Sequence, residues 1–407
     1  MSGLVVIGAS YAGMKVALTA RQAGYAELVT VVSDEHSLPY ERPPLSKGFL
    51  LGATRKQDLV LRDETFFASQ RINLVLGHRA TGIDRRARRV TLAGGVALDF
   101  EKVVIATGSR ARRLTTAGAQ LEGVCYLRSI ADAIELKERL AHAFEIVIIG
   151  GGFIGLEVAS SAVQAGKKVT VIESASRLLE RAVSPLVSEF LLDGHLRAGV
   201  DVMLGETVVS MNGADGRVAS VELANGIKLG AELVVVGIGG VANDELAKAA
   251  GVRCTNGIVV DEYGQADTHA IYAAGDCANH YNRFGNCWIR LESVQNAQDQ
   301  AKAAGLAVAE SHEAYVSVPR FWSDQYDIKL QMVGLSSRHD RMVVRGSVDE
   351  GKFSAFYYRA DRLIAVDSIN RPGDQIICRR YIEAGISPSP EDAASLSFDL
   401  KTVLKPN

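Results

Sequence analysis

Apolar residues fall into short unbroken runs along this chain, each followed by a glycine turn and then a stretch with helical spacing. Residues 4–32 read LVVIGASYAGMKVALTARQAGYAELVTVV, and residues 146–172 read IVIIGGGFIGLEVASSAVQAGKKVTVI. In both copies four apolar residues meet a glycine turn, a helical pattern follows, QAG ends it and VTV opens another apolar run. Gly13 and Gly24 lie 11 residues apart, as do Gly155 and Gly166. Such a repeat predicts two βαβ units. Each unit continues to another glycine-marked strand, residues 103–108 (VVIATG) and 233–239 (LVVVGIG). Continuous Val/Ile runs between helical patterns indicate buried parallel strands with helices on both faces.

Polar alternation at residues 88–98 and 218–229, broken by turn residues, predicts an antiparallel hairpin appended to each half. Near Pro319 the pattern changes. Residues 341–348 and 352–367 alternate like hairpin strands, and a short helical stretch begins near Asp374, so a C-terminal α+β domain is expected. The chain has 407 residues, which at roughly 150 residues per domain means two or three domains. The landmarks set three: an interrupted first domain at 1–112 and 242–315, a second inserted at 113–241, and a third at 316–407.

Composition narrows the function classes. With 45 Lys+Arg against 47 Asp+Glu the formal charge is −2, which argues against a dedicated nucleic-acid binder. An apolar fraction of 47% excludes a disordered or fibrous chain. The longest apolar run, 146–156, stops at Glu157, short of the roughly 18 residues that a membrane span needs. No signal-peptide pattern opens the sequence, and a cytoplasmic protein is expected. Cys125, Cys254, Cys277, Cys287 and Cys378 are too few and too dispersed for a disulfide framework or a zinc site, and no dithiol pair is present. No metal is expected.

The 39 glycines are the outlier. Gly150, Gly152 and Gly155, with Ile154 between them, form G-x-G-x-x-G between a strand and a helix, the arrangement that brings backbone N–H groups and a helix dipole to a pyrophosphate. Glu173 follows at the distance where an acid binds the adenosine ribose. It would repel a 2′-phosphate, favouring NADH over NADPH, while Arg177 nearby pulls the other way. In the N-terminal copy the glycines are Gly8 and Gly13, the middle position is Ser10, and Ser33 stands where the acid would align, leaving Asp34 or Glu35 to reach a ribose. Two dinucleotide sites in one chain suggest FAD and NADH, because a flavin takes a hydride and hands on single electrons.

The segments YERPPLSK (residues 40–47), ATGS (106–109), YAAGDCA (272–278), IRLESVQNAQDQA (289–301) and FWSDQYDIKLQ (321–331) carry a closer likeness. Over essentially its whole length the chain resembles the FAD-dependent, NADH-oxidising ferredoxin reductases that serve cytochrome P450 and aromatic-ring oxygenase systems, within the glutathione-reductase-like flavoprotein superfamily. The resemblance implies an α/β fold with two Rossmann-like dinucleotide-binding domains plus a C-terminal α+β domain. It implies that Asp276 hydrogen-bonds the flavin ribityl chain, that Arg42 serves the FAD pyrophosphate, and that Thr107 and Gly108 close the FAD half-site. The helix start at Glu292, Ser293 and Val294 would face the flavin pyrimidine, with Trp322 and Gln325 beside the isoalloxazine. Gly239 would belong to the NAD site. Lys47 would lie near flavin N5 and Glu157 opposite it beside the nicotinamide, the carboxylate anchoring the carboxamide and the ammonium stabilising reduced flavin. A glutamate near a helix start also simply complements the dipole.

The implied reaction is hydride transfer from NADH to FAD, then single-electron transfer to a small acidic [2Fe–2S] ferredoxin, steered by basic groups such as Arg290 and Lys302 and docking near them and Trp322. A rubredoxin reductase, a monodehydroascorbate-type reductase and an NADH-responsive regulatory flavoprotein fit the same motifs. No heptad or exposed apolar helix announces a dimer, so a monomer is expected.

Overall fold

The computed structural model describes residues 2–267 and 270–404. The chain divides into two compact units: Met1–Glu41, Leu59–Arg110 and Val241–Phe321 in the first, Arg42–Asp58, Ala111–Gly240 and Trp322–Asn407 in the second. The sequence landmarks put residues 42–58 in the first domain and made the C-terminal region a third; in the structure both group with residues 111–240.

In the first unit the strands Ile72–Val75, Val29–Val32, Gly3–Ile7 and Ala97–Ile105 lie side by side in that order, and Ile271–Ala273 pairs in parallel with the end of Ala97–Ile105. Arg89–Leu92 pairs antiparallel with the start of Ala97–Ile105 as the hairpin expected over residues 88–98, and Ala80–Asp84 adds a further antiparallel strand outside that range. Strand Gly3–Ile7 is buried on both faces, which is why it reads as an unbroken apolar run. Helix Tyr11–Gln22 covers one face beside Val294–Val308, small side chains of both (Ala12, Ala20, Ala297, Ala301 and Ala304) allowing close approach within one core.

The second unit repeats the plan. Asp201–Leu204, Lys168–Glu173, Glu145–Ile149, Leu233–Val236 and Val124–Tyr126 form a five-stranded parallel sheet. The internal repeat extends to backbone bonds: Gly8 N–H donates to Val32 O at 2.7 Å, and Gly150 N–H donates to Ile172 O at 2.8 Å. A three-stranded antiparallel sheet (Val208–Ala214, Arg217–Leu223, Lys228–Gly230) is the second expected hairpin with one strand added.

The C-terminal sheet runs Arg320–Gln325, Ile328–Gly334, Arg362–Ile369, Lys352–Arg359, Arg341–Ser347. Residues 352–367 are therefore two strands, not one. Their turn uses Ala360 (φ 47°) and Asp361 (φ 58°), both left-handed, in place of the glycine or asparagine that usually betrays such a turn. The helix expected to be short near Asp374 spans Pro372–Ala384, and Gly385 in the left-handed region ends it. Helix Pro185–Arg197 meets this sheet: Phe190 stands edge-on to Phe353 at 5.2 Å, and Tyr357 Oη lies 2.9 Å from Ser184 Oγ, the helix N-cap.

Candidate functional site

Both glycine turns have the build that a pyrophosphate needs. Gly8 has φ +115° and Gly150 φ +109°, conformations that other residues adopt rarely. A Cβ on Gly8 would overlap the Ala106 carbonyl, one on Gly13 the Gly8 carbonyl, and one on Gly155 the Gly150 carbonyl. The helices that follow, Tyr11–Gln22 and Phe153–Gln164, start at Ser10 and Gly152 without a side-chain cap. By contrast Ser129, Ser184, Ser293 and Ser389 each cap their own helix with a hydroxyl. Uncapped twelve-residue helices behind close glycine turns suit anionic ligands, so the residues present fit a dinucleotide in each unit. Gly155→Ala is expected to cost about 1–3 kcal/mol, because its methyl meets backbone that cannot yield; thermal unfolding checks this.

Around the first turn, Glu35 accepts from Tyr40 Oη at 2.5 Å, whereas Asp34 is exposed. Thr107 and Asn243 are tied together, Thr107 Oγ1 donating to Asn243 O at 2.6 Å and Asn243 Nδ2 donating to Thr107 O at 2.9 Å, and Gly108 accepts Asn243 N–H. Asp276 follows Gly275, whose N–H donates to Gln300 Oε1 on helix Val294–Val308 and which lies against Ala12. Asp276 itself accepts from Ser109 Oγ at 3.1 Å. Gly8, Ser10, Gly13, Asp34, Glu35, Thr107, Gly108, Asp276, Glu292, Ser293 and Val294 thus all belong to the first unit, while Arg42, Lys47 and Trp322 belong to the second. Arg42 Nη1 donates to Arg128 O at 2.8 Å.

Around the second turn, Glu173 ends its strand and accepts from Gly151 N–H at 2.6 Å and Ala175 N–H at 2.7 Å, which fixes a carboxylate beside the glycines. Arg177 is turned into its own loop, donating to Val183 O and Glu180 O. Ile154 is exposed on the helix's first turn, and Gly239 adopts φ +98° beyond strand Leu233–Val236.

Lys47 and Glu157, distant in sequence, meet in the second unit. Glu157 is the fifth residue of its helix and only 3% exposed. Its Oε2 lies 2.7 Å from Lys47 Nζ and accepts from Ser46 Oγ at 2.5 Å, while Oε1 accepts from Ser323 Oγ at 2.7 Å. Ser161, one turn along the same helix, donates to Ser46 O and holds that segment in place. A carboxylate offers about four acceptor positions; three are filled here, leaving one for a further donor. Such burial and pairing exceed what complementing a helix dipole requires.

Some expected roles change. Arg290 does not present a free charge to a partner: its side chain is 9% exposed and its guanidinium meets Glu292 and the Asp276 carbonyl. Lys302 is exposed but paired with Glu313 at 2.6 Å, and Trp322 is 37% exposed. Ser46, Ser161, Ser323 and His195 carry no individual mark in the sequence; Ser46 sits inside YERPPLSK, Ser323 inside FWSDQYDIKLQ and Ser161 inside the second copy of the repeat, while His195 lies outside every stretch singled out. No metal-binding cluster and no helix long and apolar enough to cross a membrane occur among the described residues.

Against known families, residues 2–301 match the pyridine nucleotide-disulphide oxidoreductase model and residues 320–404 the reductase C-terminal model. Rhodocoxin reductase of Rhodococcus erythropolis is 42% identical over 98% of this chain and 94% of its own length. The structure of the ferredoxin reductase for the CYP199A2 system from Rhodopseudomonas palustris superposes with a TM-score of 0.97 at 40% identity, covering all of both chains. The reductase in the covalent putidaredoxin reductase–putidaredoxin complex superposes with a TM-score of 0.96 at 38% identity, covering 99% of this chain and 98% of that one.

Proposed function

Since this chain belongs to the pyridine nucleotide-disulphide oxidoreductase family, in company with ferredoxin reductases over its full length, we propose that it passes electrons from NADH through FAD to a small [2Fe–2S] ferredoxin feeding an oxygenase. FAD, when bound, accepts a hydride and releases its electrons one at a time. The pair of Lys47 with the buried Glu157 carries this reading. Disulfide reductases of this fold route electrons through a dithiol early in the first domain; here the first cysteine is Cys125, and all five are free thiols. An ion pair serves the nicotinamide instead, with Glu157 offering its remaining acceptor position to the carboxamide N–H2 and Lys47 fixing the orientation of the carboxylate.

In the first unit Gly8, Ser10 and Gly13 take the FAD pyrophosphate, Asp276 the ribityl hydroxyls, and Asp34 or Glu35 the ribose. In the second, Gly150, Gly152, Ile154, Gly155 and Gly239 line the NADH site and Glu173 takes the adenosine ribose. With Arg177 committed to loop carbonyls, the fixed Glu173 carboxylate is left to repel a 2′-phosphate, which favours NADH as the donor. Trp322 is an exposed aromatic near which the acceptor docks, and Lys302, although paired with Glu313, is an exposed cation on the first unit.

Cytochrome reduction assayed with added ferredoxin, rubredoxin or neither tests the reading. NADH is expected to outperform NADPH at least tenfold, and the rate is expected to require the ferredoxin and to fall as salt rises. A full rate without any iron protein, or with rubredoxin alone, would overturn it.

A further inference from the structure

Glu157 terminates a chain of hydrogen bonds that runs through the C-terminal sheet. Ser323 Oγ donates to Glu157 Oε1, and Gln325 Nε2 donates to Ser323 Oγ at 3.1 Å. Gln325 Oε1 lies 2.8 Å from His195 Nε2, and His195 Nδ1 lies 3.1 Å from Tyr326 Oη. Ser323, Gln325 and His195 are each 1% exposed.

Chemistry fixes the direction of every link. A serine hydroxyl has one proton, and Ser323 gives it to Glu157, so Ser323 Oγ is left to receive the Gln325 amide. The Gln325 carbonyl then faces His195, which must present N–H at Nε2 and an acceptor at Nδ1, where Tyr326 supplies the proton. Burial lowers the His195 pKa and keeps the ring neutral, as this tautomer requires. All four protons therefore point towards Glu157, an arrangement in which each bond polarises the next.

The hairpin is fixed to the Glu157 helix a second time. Tyr326 N–H donates to Ser160 Oγ at 2.9 Å, and Tyr326 itself sits in the left-handed region (φ 56°) at the turn between strands Arg320–Gln325 and Ile328–Gly334.

We propose that Ser323, Gln325, His195 and Tyr326 are positioning residues for Glu157, so that the C-terminal hairpin, rather than the glycine motif, sets how the carboxamide end of NADH is received. The inference rests on the reading of Glu157 as the nicotinamide anchor. With Oε2 held by Ser46 and Lys47, Ser323 is the donor that fixes Oε1 among the described residues. Losing that donor lets the carboxylate rotate and unlinks it from the buried amide–imidazole pair behind.

The test uses the FAD-loaded protein and NAD+ as probe. Ser323→Ala and Gln325→Met are expected to weaken NAD+ binding about tenfold, as loss of one hydrogen bond to a charged group implies, and to slow flavin bleaching by NADH to a similar degree. Ser323→Thr, which keeps the hydroxyl, is expected to restore both. Nitrogen NMR of the histidines in the wild type is expected to show His195 protonated at Nε2, and Gln325→Met to release that preference. Wild-type affinity and rate in Ser323→Ala, or His195 protonated at Nδ1, would overturn the proposal. So would weakened binding in Ser323→Ala with none in Glu157→Gln, which would put the effect elsewhere. Wild-type protein that does not bind NAD+ at all would instead remove the underlying nicotinamide reading, and the proposal with it.

Discussion

Replacing Glu157 by alanine is expected to slow the bleaching of bound flavin by NADH on the order of 100-fold or more, while FAD stays in place. The glycine turn and Asp276 loop proposed to hold FAD belong to the first unit, whereas Glu157 belongs to the second. The carboxylate, in contrast, gathers Lys47, Ser46 and Ser323. Its removal strands an ammonium and two hydroxyls, each left to find water or go unpaired. Because that loss also weakens the fold, Glu157→Gln is the companion variant: it keeps the volume and an acceptor oxygen but not the charge, and should show most of the kinetic defect with little loss of stability. Stopped-flow absorbance reads the rate and the flavin spectrum reads FAD content. Bleaching at the wild-type rate would defeat the assignment of Glu157.

The second large effect concerns stability. Asp367, on strand Arg362–Ile369, is 1% exposed and accepts from Tyr357 Oη at 2.7 Å, and its burial pushes the carboxyl pKa up to about 7. In the unfolded chain the same group ionises near 3.8. Between those values the folded protein holds a proton that the unfolded chain has given up, so stability falls as pH rises through this window and levels off above about 7. At about 1.4 kcal/mol per pH unit the accumulated cost at pH 8 is on the order of 4 kcal/mol. Asp367→Asn presents a neutral group of the same shape throughout. It is expected to be clearly more stable than wild type at pH 8, with the difference vanishing near pH 4. Denaturant unfolding at several pH values checks this; an advantage of equal size at pH 4 and pH 8 would show that the carboxyl is not the cause.

The two dinucleotide turns were legible from sequence because they rest on backbone geometry that only glycine satisfies, and Gly8 and Gly150 do adopt those conformations. Other features carried no local mark. Lys47 and Glu157 are 110 positions apart, and no periodicity links them; family resemblance alone brought them together. His195 reads as one polar residue on an amphipathic helix, and its bond to Gln325 spans 130 positions of the chain. The turn at Ala360 and Asp361 was missed because neither residue is a usual left-handed one, so two strands looked like one. Arg290 looked like surface charge for a similar reason: nothing in its neighbours showed that its guanidinium folds back onto Glu292 and the Asp276 carbonyl.

The order in which the polypeptide visits the two units bears on how it is made. The chain passes from one unit to the other at positions 41, 58, 110, 240 and 321. The sheet of the first unit needs Ile271–Ala273 beside residues 103–105, and its helix Tyr11–Gln22 needs Val294–Val308. An emerging ribosomal product therefore carries the N-terminal glycine turn uncovered until about three quarters of it has been synthesised, since helix Val294–Val308 arrives so late. Closing so long a loop costs only a few kcal/mol in chain entropy, but it delays completion and leaves apolar surface exposed in the interval. A complete first unit therefore forms only late in synthesis, and a fragment ending before helix Val294–Val308 is expected to be aggregation-prone however well its first strands are formed.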